Sequence, residues 1–258
     1  LNLELENIYT HMAAKEETPA AILLAEDKYR WFNPQEEEST VWRLGGPPTY
    51  DAVNKLFEED RTKEWPKGSL EETVQNAIKT WEMELSHKVR LKDFKTISLE
   101  KFRLIVNGRQ GLSGEETLRL GSYNALLKNS LPEEYQYYKA EEETFESSHE
   151  VFRSAFPRGF AWEVVSVYSG PPVIAVKFRH WGYFEGPYKG HAPTGQRVQF
   201  YGLGVLKVDE SLKVEDVEIY YDPSELFGGL LAGPAVHGTQ SENNTSSVTP
   251  PHGCPFAK

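Results

Sequence analysis

The chain has one cysteine, Cys254, among 258 residues. No intrachain disulfide can form, so stability must come from a packed core. That composition fits a reducing compartment and argues against a secreted disulfide scaffold. Long apolar runs are also missing. Nothing approaches the roughly 20 apolar residues that span a bilayer, and the first residues lack a basic stretch followed by an apolar one. The expectation is a cytoplasmic protein with no direct membrane insertion. Positive charge is scarce: 28 Lys and Arg stand against 39 Asp and Glu, for a net charge of −11. Phosphate backbones and anionic membrane surfaces would be repelled, so no nucleic-acid partner is expected. Seven histidines are scattered without H-E-x-x-H or C-x-x-C spacing, so no metal site is expected. No G-x-G-x-x-G or G-K-[ST] loop offers a phosphate cradle, and no cofactor is expected. No repeat at solenoid periods is present.

Aromatic residues, by contrast, are plentiful. Six Trp, 13 Tyr and 13 Phe supply ample material for a core. Residues 1–11 precede Met12 and read as a remnant foreign to the fold. Residues 12–68 read as an N-terminal arm with a short helix, the arm pinning Trp31, Phe32 and Trp42 onto the body. Residues 69–232 form the main domain. Residues 233–258, rich in Ser, Thr, Asn and Pro, read as a disordered tail.

Spacing predicts a helix over 50–62 from Val53, Leu56 and Phe57. A longer one over 69–88 opens with a Ser69/Glu72 capping box and carries an apolar stripe of Leu70, Val74, Ile78, Trp81 and Leu85. A strand is predicted over 102–106. A helix opened by Ser113 and Glu116 runs to Leu127, and a third spans 140–156, ended by Pro157 and Gly159. The periodicity then changes to two. Strands are predicted over 161–168, 173–184, 198–208 and 214–221, with a short helix from Pro223. Helices followed by antiparallel strands make an α+β fold. The expected form is a cone-shaped, curved antiparallel sheet packed by about three helices, its open end a pocket.

Four elements in order carry a resemblance: Phe156-Pro157, the strand Val173 to Arg179, Gly182 to Gly186, and Gly190-His191-Ala192-Pro193-Thr194-Gly195. They resemble the SnoaL-like, polyketide cyclase-like family of the nuclear transport factor 2-like superfamily. Thr80-Trp81-Glu82-Met83-Glu84-Leu85-Ser86-His87 and Gly186 to Gly195 further resemble the plant pathogen-related protein group. The resemblance implies the cone fold, a homodimer, and a role in plant defence or specialised metabolism. It implies no single reaction, since the superfamily hosts several. Its cyclases use a pocket acid on the strand after the P-T-G turn, where this chain has Gly204. The ring-closing aldol step would then lack its proton carrier.

The remaining candidates for chemistry are few. His180 alternates with Ile174, Val176 and Phe178 and so shares an apolar face, as a base or as a core histidine. Tyr220 and Asp222 are the candidate acids, although an Asp before Pro223 equally suits an N-cap. Lys177 and Arg179 point the other way, to solvent or a partner. Glu146 and His149 are three apart on one helix, whereas Glu82 and His87, five apart, do not align. Trp81, Phe145, Phe178, Phe200 and Gly204 are the expected ligand-lining positions. Three readings follow. The first is an accessory or binding protein for a small apolar metabolite, assisting a biosynthetic oxidase such as a haem oxidase of terpenoid biosynthesis. The second is an acid–base isomerase or cyclase. The third is a non-catalytic dimeric interaction protein.

Overall fold

The longest helix shows how the body is organised. In the computed structural model, which describes residues 27–32 and 37–236, α1 spans Asp51–Asp60 and α2 Leu70–His87. Ser69 caps α2 by accepting from the Glu72 N–H, while the Glu72 carboxylate turns back to the Gly68 N–H. One orphan donor of the first turn is thereby satisfied, and the expected capping box is only half formed, because the Ser69 N–H goes to the Pro66 carbonyl instead. Val74 and Leu85 are buried on its inward stripe, with Ile78 and Trp81 half-buried between them.

Strand β1 (Arg103–Val106) and the short β2 (Leu112–Ser113) follow. The helix expected from Ser113 to Leu127 is two helices, α3 (Gly114–Leu120) and α4 (Ser122–Leu127). Gly121 breaks them with φ of 83°, a conformation open to glycine. The helix expected from Ala140 begins later, as α5 (Phe145–Ala155), because Thr144 and Ser147 form the capping box there. Then come β3 (Ala161–Val167), β4 (Val173–Tyr183), β5 (Arg197–Val208), β6 (Val214–Tyr221) and α6 (Pro223–Leu230).

The six strands run in the order β2-β1-β6-β5-β4-β3. β3 to β6 form the expected antiparallel meander. The sheet as a whole is mixed, because β1 joins β6 in parallel, with Leu104 beside Val217. A parallel neighbour requires a long crossover, and the whole chain between β1 and β6 provides it. The sheet is unclosed.

Register assigns the two faces. His180 pairs with Phe200, Phe178 with Gly202, and Val176 with Gly204, all on the inner face. Gly202 is required there: a Cβ would lie 2.3 Å from Phe178 Cζ, so the Phe178 ring lies across the β5 backbone. The outer face carries Tyr201, Leu203 and Tyr220, each more than 40% exposed. Arg179 also leaves the inner face, but not to solvent. It is 3% exposed, its Nε 2.8 Å from Glu163 Oε1, with its guanidinium 3.9 Å over the Trp181 ring. Glu163, 0% exposed, also accepts from the Thr62 N–H and hydroxyl.

Part of the expected arm docks. Tyr29 packs edge-on to Phe57 at 4.9 Å, and Arg30 reaches Asp27 and Asn54. Phe32 lies 6.3 Å from Trp42. Trp31 does not dock as expected and remains 53% exposed. The remnant at 1–11 and nearly all of the 233–258 tail, Cys254 included, lie outside the described residues.

Candidate functional site

The inner face of β4 and β5 meets α2 at one polar spot in an apolar wall. His180 is fixed first. Its Nδ1 lies 2.9 Å from the Ala161 carbonyl oxygen, which accepts only a donated N–H. The proton therefore sits on Nδ1, and Nε2 presents a bare lone pair. Phe160 stacks on the imidazole at 4.3 Å and Phe200 lies at 5.4 Å. Removal from water lowers the His180 pKa to about 3, so the ring is neutral at pH 7.

Opposite Nε2 stands Glu82 of α2, with Oε1 3.9 Å away. That distance exceeds a hydrogen bond. Both groups retain open surface although they lie between helix and sheet: 20% of the His180 side chain and 39% of the Glu82 side chain. Around the pair, Phe160 on the His180 ring, Tyr221 beyond Phe200, and Ile78 and Trp81 beside Glu82 on α2 are half-buried. Burial raises the Glu82 pKa to about 7, and Arg30 and Lys79 restrain the rise. Glu82, Arg30, Lys79, Asn54 and Phe57 also line a small adjoining cavity of about 20 Å³, room for one water.

A carboxyl that titrates near neutrality is matched to taking up and returning a proton at physiological pH. A neutral imidazole facing it adds a fixed acceptor. The aromatic rings beside both favour an apolar ligand with one polar function.

The other expected residues are distributed unevenly. Phe200 adjoins His180. Phe178 is buried on the same face, 5.7 Å from Trp162. Trp81 packs 5.9 Å from Phe102, its buried Nε1 without an acceptor among the described residues. Gly204 is buried opposite Val176, and a Cβ there would lie 3.3 Å from Val176 Cγ2. Phe145 stacks instead on His149 at 4.1 Å, beneath the Arg43 guanidinium, and does not join the cluster around His180. Tyr220 lies on the outer face and donates to Glu218 Oε2, so strand alternation removes it from the site. Tyr221 points inward, 5.0 Å from Phe200, and donates to the Leu126 carbonyl. Asp222 caps α6, accepting from the Ser224 N–H. Glu146 and His149 separate: Glu146 is at the surface near Arg43, while His149 donates to the Phe145 carbonyl and faces Ser122.

Glu82 was not among the expected site residues. Its signal is a carboxylate four residues after Ile78 and beside Trp81, at the margin of the α2 apolar stripe. His87, half-buried, pairs with Tyr50 at 3.3 Å.

No family model matches the chain. Among solved structures, it is similar to a proposed SnoaL-like polyketide cyclase from Jannaschia sp. CCS1, with a TM-score of 0.36 and 16% identity, covering 66% of this chain and 100% of that one. It is also similar to a Catenulispora acidiphila protein with a ketosteroid isomerase-like fold, with a TM-score of 0.36 and 8% identity, covering 61% of this chain and 93% of that one. A curated relative, the pathogen-related protein of Hordeum vulgare, is 52% identical over 218 residues, 83% of this chain and 93% of the relative. At that identity and coverage, the chain belongs to the pathogen-related protein family.

Proposed function

We propose that this protein binds a small, largely apolar plant metabolite in the cleft between α2 and the inner sheet face. There it moves a proton on the metabolite, as an isomerase or cyclase of defence or specialised metabolism. The observation that carries this reading is the pairing of Glu82, held near neutrality, with the fixed lone pair of His180 across 3.9 Å. The missing sheet acid at Gly204 is offset by an acid from the helix opposite. Glu82 takes a proton from a carbon beside a carbonyl and returns it elsewhere on the ligand. His180 Nε2 accepts a hydrogen bond from a ligand hydroxyl and orients it.

A second reading, delivery of an unchanged ligand to a biosynthetic oxidase, draws support from the exposed Tyr201, Leu203 and Tyr220 on the outer face. One experiment separates the two. The purified protein is incubated with a mixture of plant terpenoids and phenolics, and bound and altered species are identified by mass spectrometry. Proton transfer requires a new isomer that disappears with Glu82→Gln and falls with His180→Asn. A ligand retained unchanged by wild type and both variants supports delivery. If nothing is retained or altered, both readings fall.

A further inference from the structure

A hydroxyl and an imidazole meet where α4 packs on α5. Gly121 ends α3 with φ of 83° and sets Ser122 as the first residue of α4. The turn lies close against α5: a Cβ on Gly121 would sit 2.9 Å from Phe145 Cδ2 and 3.4 Å from His149 Cε1. The bare glycine thus lets Ser122 reach the His149 ring, with Oγ 3.4 Å from Nε2. Such bonds are often long without substrate and tighten when it binds. The other ring nitrogen is committed. His149 Nδ1 lies 2.7 Å from the Phe145 carbonyl oxygen, which can only accept. The proton therefore sits on Nδ1, Nε2 turns a bare lone pair to Ser122, and the hydroxyl is the donor. Ser148 Oγ, 3.4 Å from Nδ1, donates to the same carbonyl and does not compete. Phe145 stacks on the imidazole at 4.1 Å and Tyr123 meets it edge-on at 5.1 Å, which fixes the plane of the ring. Ser122 and His149 are only half-buried, so both keep surface open to solvent. Charged groups face His149 from three elements: Arg43 from the arm, His87 at the end of α2, and Glu146 and Arg153 on its own helix. Burial, opposed by the bond to Phe145 and aided by the Arg43 charge, holds the imidazole below its ordinary 6.5.

We infer that Ser122 and His149 form a second site, which cleaves small apolar esters: Ser122 Oγ is the nucleophile, His149 Nε2 its base, and the Phe145 carbonyl the group that orients the base. A nucleophile within reach of a base that a third group holds is the arrangement acyl transfer needs. The pair shares no residue with Glu82 and His180, so the inference stands apart from the function proposed for them. Ser122 Oγ attacks the ester carbonyl carbon while its proton passes to His149 Nε2, and the carbonyl electron pair moves to oxygen. Arg43, its guanidinium 3.6 Å over the Phe145 ring, brings a positive charge to the cluster in which that oxyanion develops. The electron pair returns, the bond to the alcohol oxygen breaks, and the alcohol leaves with the proton from Nε2. Water then gives a proton to Nε2 and attacks the acyl carbon. The bond to Ser122 breaks, and Oγ takes the proton back. One ester and one water give one carboxylic acid and one alcohol, with no oxidant or reductant consumed. The Phe145 and Tyr123 rings beside His149 favour an apolar substituent on the ester.

The test uses the full chain and two probes. Diisopropyl fluorophosphate phosphorylates an activated serine with loss of fluoride, and peptide mass spectrometry locates the adduct. Hydrolysis of p-nitrophenyl acetate is followed by the release of p-nitrophenolate. Ser122 should carry the adduct in the folded protein, and the adduct should vanish in urea. Ser122→Ala should lose both the adduct and the hydrolysis. His149→Gln, which keeps a polar side chain but no base, should slow both by about 100-fold or more. Because that variant alters packing on Phe145, the pH profile of the wild type is read beside it. The rate of Ser122 labelling should be flat from pH 7 to 9 and fall as His149 is protonated, with a midpoint below 6.5. A serine without a base would instead gain about tenfold per pH unit as hydroxide rises. Absence of a Ser122 adduct overturns the inference, as does a tenfold rise per pH unit. Hydrolysis equal in wild type and Ser122→Ala overturns it as well. Loss of Ser122 labelling in Glu82→Gln would also overturn it, by making the two sites one.

Discussion

Glu82→Gln should stabilise the protein at pH 8 and leave it nearly unchanged at pH 4. Burial holds the folded carboxyl at about 7, against an ordinary 4.5. Below 4.5 the group is protonated in both folded and unfolded states, so folding is not penalised. Between 4.5 and 7 the unfolded chain releases its proton while the folded one retains it, and stability falls as pH rises. Above 7 the penalty is constant. The difference corresponds to roughly 3 kcal/mol. With 39% of the side chain open, solvent screening reduces this to about 1–2 kcal/mol. Glutamine has the shape of the protonated acid and never ionises, so it escapes the penalty. Urea unfolding of both proteins at pH 4, 6 and 8 measures the effect through the midpoint at constant slope. A stability difference that is flat across pH, or a variant weaker at pH 8, refutes the argument. It would mean that Arg30 and Lys79 hold Glu82 ionised and that the group is a buried counter-ion.

Three further outcomes are expected. Arg179→Met should destabilise by about 3–5 kcal/mol in denaturant unfolding, because Glu163, at 0% exposure, loses its ion-pair partner. Gly202→Ala should cost about 1–3 kcal/mol, since its Cβ meets the Phe178 ring and the Tyr220 carbonyl, the latter at 2.8 Å. The variant should also reduce ligand retention by displacing Phe178, read out by the mass-spectrometric binding experiment. Tyr220→Phe should change neither melting temperature nor ligand turnover, because its hydroxyl reaches only Glu218 on the outer face. A loss of turnover there would return Tyr220 to the site.

Local order in this chain was legible because it is set by neighbours in sequence. The Ser69 and Ser113 caps, the stripe through Val74, Ile78, Trp81 and Leu85, and the period-two strands from Ala161 onward each follow from side-chain spacing. His180 was found for the same reason: alternation with Ile174, Val176 and Phe178 fixes its face. Alternation also separates Tyr220 from Tyr221, and applying it across β6 would have chosen Tyr221 from sequence alone. The parallel pairing of β1 with β6 depended on contacts between residues more than a hundred positions apart, for which spacing carries no signal. The break at Gly121 needed a backbone angle rather than a pattern.

The sequence by itself determined the α+β order, the aromatic wall and the absence of an acid at Gly204. Only the tertiary structure decided that an acid nevertheless faces that wall, because Glu82 and His180 lie 98 positions apart and meet only when α2 packs across the sheet. It also decided what both groups are chemically. The pKa of a carboxyl or an imidazole is set by the water removed from around it and by charges brought near, such as Arg30 and Lys79. Neither exists until the chain has folded.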